Sequence, residues 1–293
     1  MKKNDPSLQK LIASMVIFGT IGIFRRFIAL PSASIAALRG IVGAAFLLAL
    51  TVLRGKKLSL GAIRSNLALL LISGALMGVN WIALFEAYRF TSVAVATLCY
   101  YMAPVIVILL SPLLLGEALT AKKLVCVAAA ILGMVLVSGV LDSGGAGSVR
   151  GVLLGLAAAA LYAAVVLINK KMKPIPGLDR SVIQLASAGI VVLPYALLGG
   201  FGGTGALTAR TVLMLVVVCL VHTGLAYALY FGSVERLPAH TLALLSYIDP
   251  VVAVLLSALL LHEKLTLLTA LGAVLIIGAA IVCEMPGKAK PDI

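Results

Sequence analysis

The residue best placed to do chemistry is Asp249, which lies inside an otherwise apolar run from Pro238 to Leu260. This run is long enough to cross a bilayer, which takes roughly 20 apolar residues. A carboxylate at mid-bilayer costs about 2.5 to 3.5 kcal/mol on insertion scales, so we expect it to face a polar cavity, a partner or a proton. Asp249 is therefore predicted to bind a substrate and to exchange protons. The alternative is a carboxyl group that hydrogen-bonds a backbone carbonyl freed beside Pro250.

The stretch around this acid occurs twice in the chain. Residues 98–120 match residues 244–266 without a gap, and the acid itself falls on Ala103. The matched pairs are Tyr101 with Tyr247, Pro104 with Pro250, Ser111 with Ser257, Glu117 with Glu263, Leu119 with Leu265 and Thr120 with Thr266. One fixed offset indicates an internal duplication. Pro104 and Pro250 are predicted to break their helices, and paired breaks in two halves mark a transport site.

Other polar side chains share faces of predicted helices. At 100° per residue, His222 lies on one face of the eighth predicted helix with Tyr230 and beside Tyr227. On the third predicted helix, Asn80 lies near mid-depth and shares a face with Trp81, Leu84 and Tyr88. His222 is interpreted as a partner of the acid or the substrate, or else as a neutral, hydrogen-bonded interior histidine. The predicted substrate-binding residues are Asp249, His222, Asn80, Trp81, Tyr100, Tyr101, Tyr227, Tyr230, Ser246 and Arg39.

The aromatic members of this set predict the kind of solute. A cavity lined by Trp81 and four tyrosines suits a small organic molecule with apolar or aromatic parts, or an amine held by a carboxylate and ring faces. The alternative is aromatic packing or anchoring at the membrane interface. Tyr247 is predicted to point elsewhere, because Ser246 and Asp249 lie on a different face of the same helix.

Several charged residues have more than one interpretation. Arg39 is predicted either to reach outward to water or to bind an anionic group or a carbonyl in the cavity. Glu86 and Arg89 lie one turn apart and predict a local ion pair at the rim. Glu117 and Glu263 precede helices that Thr120 and Thr266 can cap, and they are interpreted as structural.

The composition indicates an all-α integral membrane protein. The chain has 62% hydrophobic residues, 11% charged residues and a mean hydropathy of +1.19, whereas soluble proteins have about 25% charged residues. The first apolar run leads directly into others, so no cleaved signal peptide is expected. The four cysteines lie in apolar runs without metal-binding spacing, and neither a metal nor a cofactor is predicted.

Charged residues, glycines and prolines divide the apolar sequence into ten segments, each of which is predicted to be a transmembrane helix. Their ranges are 11–29, 32–53, 66–88, 92–115, 121–140, 150–169, 179–199, 210–234, 238–260 and 265–284. With a cytoplasmic N-terminus, 16 of the 23 Lys and Arg residues fall on the inside and six on the outside, with Arg39 inside a span. Both termini are thus predicted to be cytoplasmic, in the cell membrane. The net charge of +13 is a sorting signal and predicts no nucleic acid partner.

Five helices in each half require the second half to enter the membrane in the opposite sense. The predicted domains are a first repeat at 1–141, a linker at 142–149 and a second repeat at 150–293. Inverted repeats around a central cavity are typical of transporters that expose one site to each side in turn.

The paired segments APVIVILLSPLLLGEALT and DPVVAVLLSALLLHEKLT resemble the EamA branch of the drug/metabolite transporter superfamily. The resemblance spans essentially the whole chain, and Arg39 resembles an arginine that this family often has early in its second helix. It implies ten helices around a central cavity, and the export or exchange of metabolites such as amino acids.

Three functions follow as hypotheses. The first is a secondary transporter of an amino acid, an amine or a drug-like solute, with proton coupling through Asp249. The second is an intramembrane enzyme that uses His222 with Asp249, and the third is an uncoupled facilitator or lipid flippase. No Walker A, HExxH or GxSxG motif occurs, which disfavours ATP hydrolysis and catalysis. The expected partners are the solute, protons and membrane lipid, and the chain is expected to be a monomer or a homodimer.

Overall fold

The computed structural model describes residues 6–116, 119–137, 149–201, 207–234, 237 and 239–285. In these residues every regular element is a helix. The first half contains α1 (Pro6–Arg26), α2 (Ser32–Leu53), α3 (Leu60–Phe90), α4 (Val93–Tyr100), α5 (Ala103–Leu115) and α6 (Ala121–Val137). The second half contains α7 (Val149–Lys170), α8 (Gly177–Leu198), α9 (Ala209–Val217), a π-helix (Val218–Leu225), α10 (Ala226–Val234), α11 (Ala239–Ser246), α12 (Ile248–Leu260) and α13 (Leu267–Glu284).

The chain is a multi-pass membrane protein. Seven helical segments of the described residues are long and apolar enough to cross a bilayer, and the shorter helices Ile248–Leu260 and Leu267–Cys283 are also apolar. Helix α3, at 31 residues, starts six residues earlier than predicted. Residues 142–148 of the predicted linker lie outside the described residues, and so does Glu117, which was interpreted as structural.

Two helices predicted as continuous are interrupted in the structure. The predicted span 92–115 divides into α4 and α5 at Tyr101 and Met102, and the span 238–260 divides into α11 and α12 at Tyr247. Pro104 is the second residue of α5 and Pro250 the third residue of α12. Proline lacks an amide hydrogen, so it fits the first turn of a helix and interrupts hydrogen bonding to the preceding turn.

The span predicted as a uniform α-helix over 210–234 contains the π-helix Val218–Leu225. Side chains there bond to carbonyls five residues back. Thr223 Oγ1 donates to the Val218 carbonyl at 3.1 Å, and His222 Nδ1 lies 3.3 Å from the Val217 carbonyl. A wider turn changes the faces on which later side chains lie.

Glycines allow the helices to approach closely. A Cβ atom on Gly40 of α2 would lie 2.5 Å from the Gly189 amide nitrogen of α8, and one on Gly133 of α6 would lie 2.8 Å from the Gly272 carbonyl of α13. Gly74 of α3 likewise lies against the backbone of α8. Small residues at such crossings favour helix packing in membranes.

Candidate functional site

A cavity of about 490 Å³ lies between the helices of the two halves. Both α1 and α2 contribute to its wall, as do α3, α4, α5, α7, α10, α11 and α12. Seven of the eight tyrosines of the chain line it, namely Tyr88, Tyr100, Tyr101, Tyr162, Tyr227, Tyr230 and Tyr247. The single tryptophan, Trp81, and the charged residues Arg39 and Asp249 complete its polar and aromatic lining. The cavity is therefore aromatic, with one formal charge of each sign.

Asp249 is the second residue of α12, directly after the helix interruption. A helix N-terminus favours a negative charge, because its first amide groups point toward it. The side chain is partly exposed toward the cavity and interacts with the Tyr101 hydroxyl and, at longer range, with Arg39. Helix α1 passes very close by, since a Cβ atom on Gly19 would lie 2.6 Å from the Asp249 carbonyl.

Arg39 is buried and does not reach outward to water. Its Nε donates to Thr223 Oγ1 at 2.8 Å, and its guanidinium carbon lies 4.1 Å from the Trp81 ring centroid. Stacking on an indole together with a directional hydrogen bond is a property of guanidinium rather than of ammonium. Among the described residues, no ion pair joins Arg39 to Asp249.

The helix interruption of the second half is contacted by the first half. The Ser246 carbonyl has no helical amide partner four residues on, because that residue is Pro250. The Tyr101 hydroxyl donates to this carbonyl at 3.5 Å, and the Tyr101 and Tyr247 rings pack with centroids 6.4 Å apart. Tyr247 lines the cavity, so the prediction that it points elsewhere was wrong. The interruption at Tyr247 changes the helical phase on which that prediction depended.

Most of the predicted substrate-binding residues meet in this cavity. Those lining it are Asp249, Arg39, Trp81, Tyr100, Tyr101, Tyr227, Tyr230 and Ser246, together with the helix-break residue Pro104. Pro250 is buried behind the lining, next to Asp249.

Two predicted residues lie elsewhere. Asn80 is buried, and its Nδ2 donates to the Ala158 carbonyl of α7 at 2.5 Å. It lies 100° around α3 from Trp81 and joins α3 to α7, rather than facing the cavity.

His222 does not contact Asp249. Its Nε2 lies 2.7 Å from Thr20 Oγ1, and its ring packs on Phe24 of α1 with centroids 4.8 Å apart. A neutral imidazole makes both contacts when Nδ1 donates to the Val217 carbonyl and Nε2 accepts from Thr20. The single Thr20 proton is then directed to His222 instead of to the Ile17 carbonyl, which lies 2.8 Å from the same hydroxyl. The π-helix is the physical reason, because it breaks the 100° progression that placed His222 on the cavity face.

The structure adds residues that were not predicted for the site. Tyr162 of α7 lines the cavity, and its ring packs on Tyr100 with centroids 5.4 Å apart. The sequence feature that could have indicated Tyr162 is its position as the one aromatic residue in the alanine-rich run 157–166. Tyr88 also lines the cavity and lies 3.3 Å, oxygen to oxygen, from the Thr97 hydroxyl.

Two ion pairs lie at the rim near the end of α3, Glu86 with Arg89 and Arg26 with Glu263. Arg89 and Glu86 form the predicted local pair at 3.0 Å. Glu263 differs from its prediction, because its carboxylate accepts the amide of Val93 at the start of α4 rather than an amide of the helix that follows it. Capping of α13 falls to Thr266, which accepts from the Thr269 amide at 3.1 Å.

Comparison with known proteins identifies the family. The family model of the EamA-like transporter family matches residues 8–139 and again residues 149–284. The chain belongs to the EamA-like transporter family. The EamA-like chain is accordingly a membrane transporter. In the part of the chain that the structure describes, no three His, Cys, Asp or Glu side chains are arranged to hold a metal ion.

Individual EamA-like relatives cover much of the chain. An uncharacterized transporter, YxxF, of Bacillus subtilis (strain 168) is 27% identical over 99% of this chain and 93% of its own length. Protein PecM of Dickeya dadantii (strain 3937) is 31% identical over 73% of each chain. A solved crystal structure covers 94% of this chain and 96% of its own, with a TM-score of 0.66 at 22% identity, and it shares the fold.

Proposed function

We propose that this protein is a secondary transporter that moves a small zwitterionic organic solute, such as an amino acid, across the cell membrane by alternating access. The observation that carries the proposal is the cavity between the two halves, in which Asp249 and Arg39 supply one negative and one positive group. An amine on the solute pairs with the carboxylate, and a carboxylate on the solute pairs with the guanidinium.

The remaining lining supports an apolar or aromatic solute body. Rings of Trp81 and of tyrosines surround the two charged groups, and their faces attract both apolar groups and cations. A volume of about 490 Å³ lies within the range of small-molecule pockets, roughly 300–1,000 Å³. A simple amine would use only Asp249 and would leave the buried Arg39 without an anionic partner, with only its contacts to Thr223 and Trp81.

Packing between the halves supports two inverted five-helix repeats, the first at 1–141 and the second at 150–293. In ten alternating spans, α2 corresponds to α8, α6 to α13, and the α4–α5 pair to α11–α12. Helix α2 packs on α8, α6 on α13 and α4 on α12. The packing of α3 on α7 likewise has its counterpart in the packing of α1 on α10. Contacts of each element with its own counterpart are expected at a pseudo-twofold axis.

Helix ends support the same topology. The Ser59 amide at the start of α3 donates to Asp179 at the start of α8 at 2.9 Å. The proposed topology has both of these helix ends on the cytoplasmic side. On the opposite side, Arg150 at the start of α7 lies 4.0 Å from the Phe90 ring at the end of α3. In a topology of ten spans with cytoplasmic termini, the two helix ends joined by each contact lie on the same side of the membrane.

Asp249 supports proton coupling in this proposal. Its carboxyl group lies at a helix interruption, interacts with a tyrosine hydroxyl and faces the solute cavity. Protonation and solute binding at one carboxyl compete, so an inward proton can be exchanged for an outward solute. Export or exchange is the direction we propose. The contact of His222 with Thr20 favours this transport role over catalysis by His222 with Asp249.

Ligand stabilisation of the purified protein tests the solute class. Amino acids, amines and nucleobases are screened by thermal shift in detergent, each amino acid beside its amide and its decarboxylated amine. Zwitterions are expected to raise the melting temperature, and analogues lacking either charge are expected to raise it less. Equal stabilisation by an amino acid and its decarboxylated amine would contradict a role for Arg39. Uptake into proteoliposomes then follows, and a chemically altered product would contradict transport.

A further inference from the structure

A charged network lies at the junction of three elements, and one of its members, Arg26, lines a rim pocket next to the cavity. Glu263, in the segment after α12, accepts the Val93 amide of α4 at 2.9 and 3.1 Å. Arg26, the last residue of α1, pairs with the same carboxylate at 2.9 Å and donates to the Thr91 carbonyl at 2.9 Å. One carboxylate therefore ties the end of α1 and the start of α4 to the segment that follows α12.

This network joins the two halves of the chain. Arg26 and Val93 belong to the first half and Glu263 to the second, whereas the other ion pair in the described residues, Glu86 with Arg89, lies within α3. If the halves rock against each other during transport, the contacts of Glu263 must break on one side of the membrane. Those of Glu86 with Arg89 need not change.

The network also lies directly beyond a barrier in the cavity wall. Tyr88, which contacts Thr97, lines the central cavity and also lines a second pocket of about 290 Å³ with Arg25, Arg26 and Arg89. Tyr88 therefore separates the solute cavity from a basic rim pocket. The cavity also reaches Leu242 in the short helix α11.

We infer that Arg26, Glu263 and the N-terminus of α4 form the outer gate of the transporter, which opens to let the solute pass between the central cavity and the rim pocket. The outer gate rests on the transport function and the topology proposed above. Its exposure suits reversible opening, because the Arg26 and Glu263 side chains are 34% and 13% exposed. A partly solvated ion pair is weak enough to open, whereas a fully buried one is strongly destabilising to break.

Access to the cavity from each side tests the outer gate. The four native cysteines are replaced by alanine, and Ser246→Cys places one thiol in the cavity wall. A membrane-impermeant thiol reagent is added to intact cells and, separately, to inverted membrane vesicles. Glu263→Gln keeps an oxygen for the Val93 amide but removes the charge. It is expected to raise the labelling rate from outside by about fivefold, the scale on which a partly exposed ion pair shifts an equilibrium.

The matched control is Glu86→Gln, which breaks the rim ion pair within α3 and is expected to leave the labelling rate unchanged. Arg26→Gln leaves the Val93 contact with Glu263 intact and is expected to raise the rate in the same direction, so it decides the test if Glu263→Gln does not reach the membrane. An unchanged rate in both gate variants overturns the outer gate. A rise confined to inverted vesicles overturns its placement on the outer side.

Labelling and flux separate this inference from the proposed function. Labelling reports access to the cavity and requires no solute. Absent solute flux in the wild-type protein would contradict transport even where the labelling rate rises. Normal flux with unchanged labelling of both gate variants would contradict only the outer gate.

Discussion

Asp249 and Arg39 face the same cavity, but the surrounding protein holds them differently. Arg39 is fixed by a hydrogen bond to Thr223 and by stacking on Trp81. Within the part of the chain that the structure describes, the Asp249 carboxyl group interacts with the Tyr101 hydroxyl and, at longer range, with Arg39. We infer that the guanidinium is a rigid solute contact, whereas the carboxyl group is the one free to change its protonation state.

Asp249→Asn tests the proton role at the residue scale. The amide keeps the shape of the side chain but cannot take up a proton, so solute flux is expected to lose its dependence on a pH gradient. Flux is measured in proteoliposomes with and without the gradient. Asp179→Asn is the matched control, because Asp179 is a buried carboxylate at the start of α8, outside the cavity. Unchanged gradient dependence in Asp249→Asn would remove Asp249 from coupling.

Arg39→Lys tests the fixed guanidinium. An ammonium group cannot both donate to Thr223 in the same geometry and stack flat on Trp81, so the solute carboxylate loses a positioned partner. Loss of one charge-assisted hydrogen bond, about 1.5 kcal/mol, is expected to weaken binding of a zwitterion roughly tenfold. Binding of the decarboxylated amine is the internal control and should change little. Calorimetric titration measures both, and an equal loss for the two ligands would contradict the assignment.

The sequence was sufficient to predict the cavity-lining residues whose side chains are unusual inside a membrane. Asp249, Arg39 and five aromatic residues were predicted from polarity and depth alone, and all of them line the cavity. Asn80 and His222 are equally polar, but each makes its interhelical hydrogen bond with a packed neighbouring helix and not in the cavity: Asn80 Nδ2 with Ala158 and His222 Nε2 with Thr20. Polarity indicates that a side chain faces the interior, and it does not distinguish a cavity from a packed interface. That distinction needs the neighbouring helices.

At the scale of helices, interruptions generate the site. The prolines at matched positions predicted where two helices break, and both interruptions lie within three residues of them. The π-helix has no comparable signal in the sequence, because no proline or glycine pair marks Val218–Leu225. It places Thr223 against Arg39 and His222 against Thr20. A uniform helix therefore gave the wrong face for one residue of the predicted site.

Gly40→Ala tests the close contact between α2 and α8. An added Cβ would lie 2.5 Å from the Gly189 nitrogen and 2.7 Å from the Leu185 carbonyl, and backbone atoms cannot move aside cheaply. Overpacking of this kind is expected to destabilise the fold by about 1 to 3 kcal/mol. The control is Gly278→Ala in α13, where nothing lies within 4 Å and a neutral or slightly stabilising effect is expected. Melting temperatures in detergent compare the two, and equal values would contradict the contact.

At the scale of the whole molecule, the duplicated sequence and the packing between helices both support the proposed pair of repeats. The fixed offset between the two halves predicted a repeat, and α2 packs on α8, α6 on α13 and α4 on α12, which are the elements that the proposal pairs. The contacts of Glu263 across the halves could not be predicted, because they depend on where helix ends meet in space. The asymmetry at Ala103 and Asp249 gives this nearly symmetric cavity a single acid.

Solute counterflow in proteoliposomes tests most directly whether one cavity serves both sides of the membrane. Vesicles are loaded with unlabelled solute from the thermal-shift screen, and a trace of labelled solute is added outside. A single site exposed alternately to each side predicts transient accumulation of intact labelled solute above its equilibrium level, and Arg39→Gln is expected to diminish it strongly. Equilibration without any overshoot, or recovery of a chemically altered product, would contradict the account.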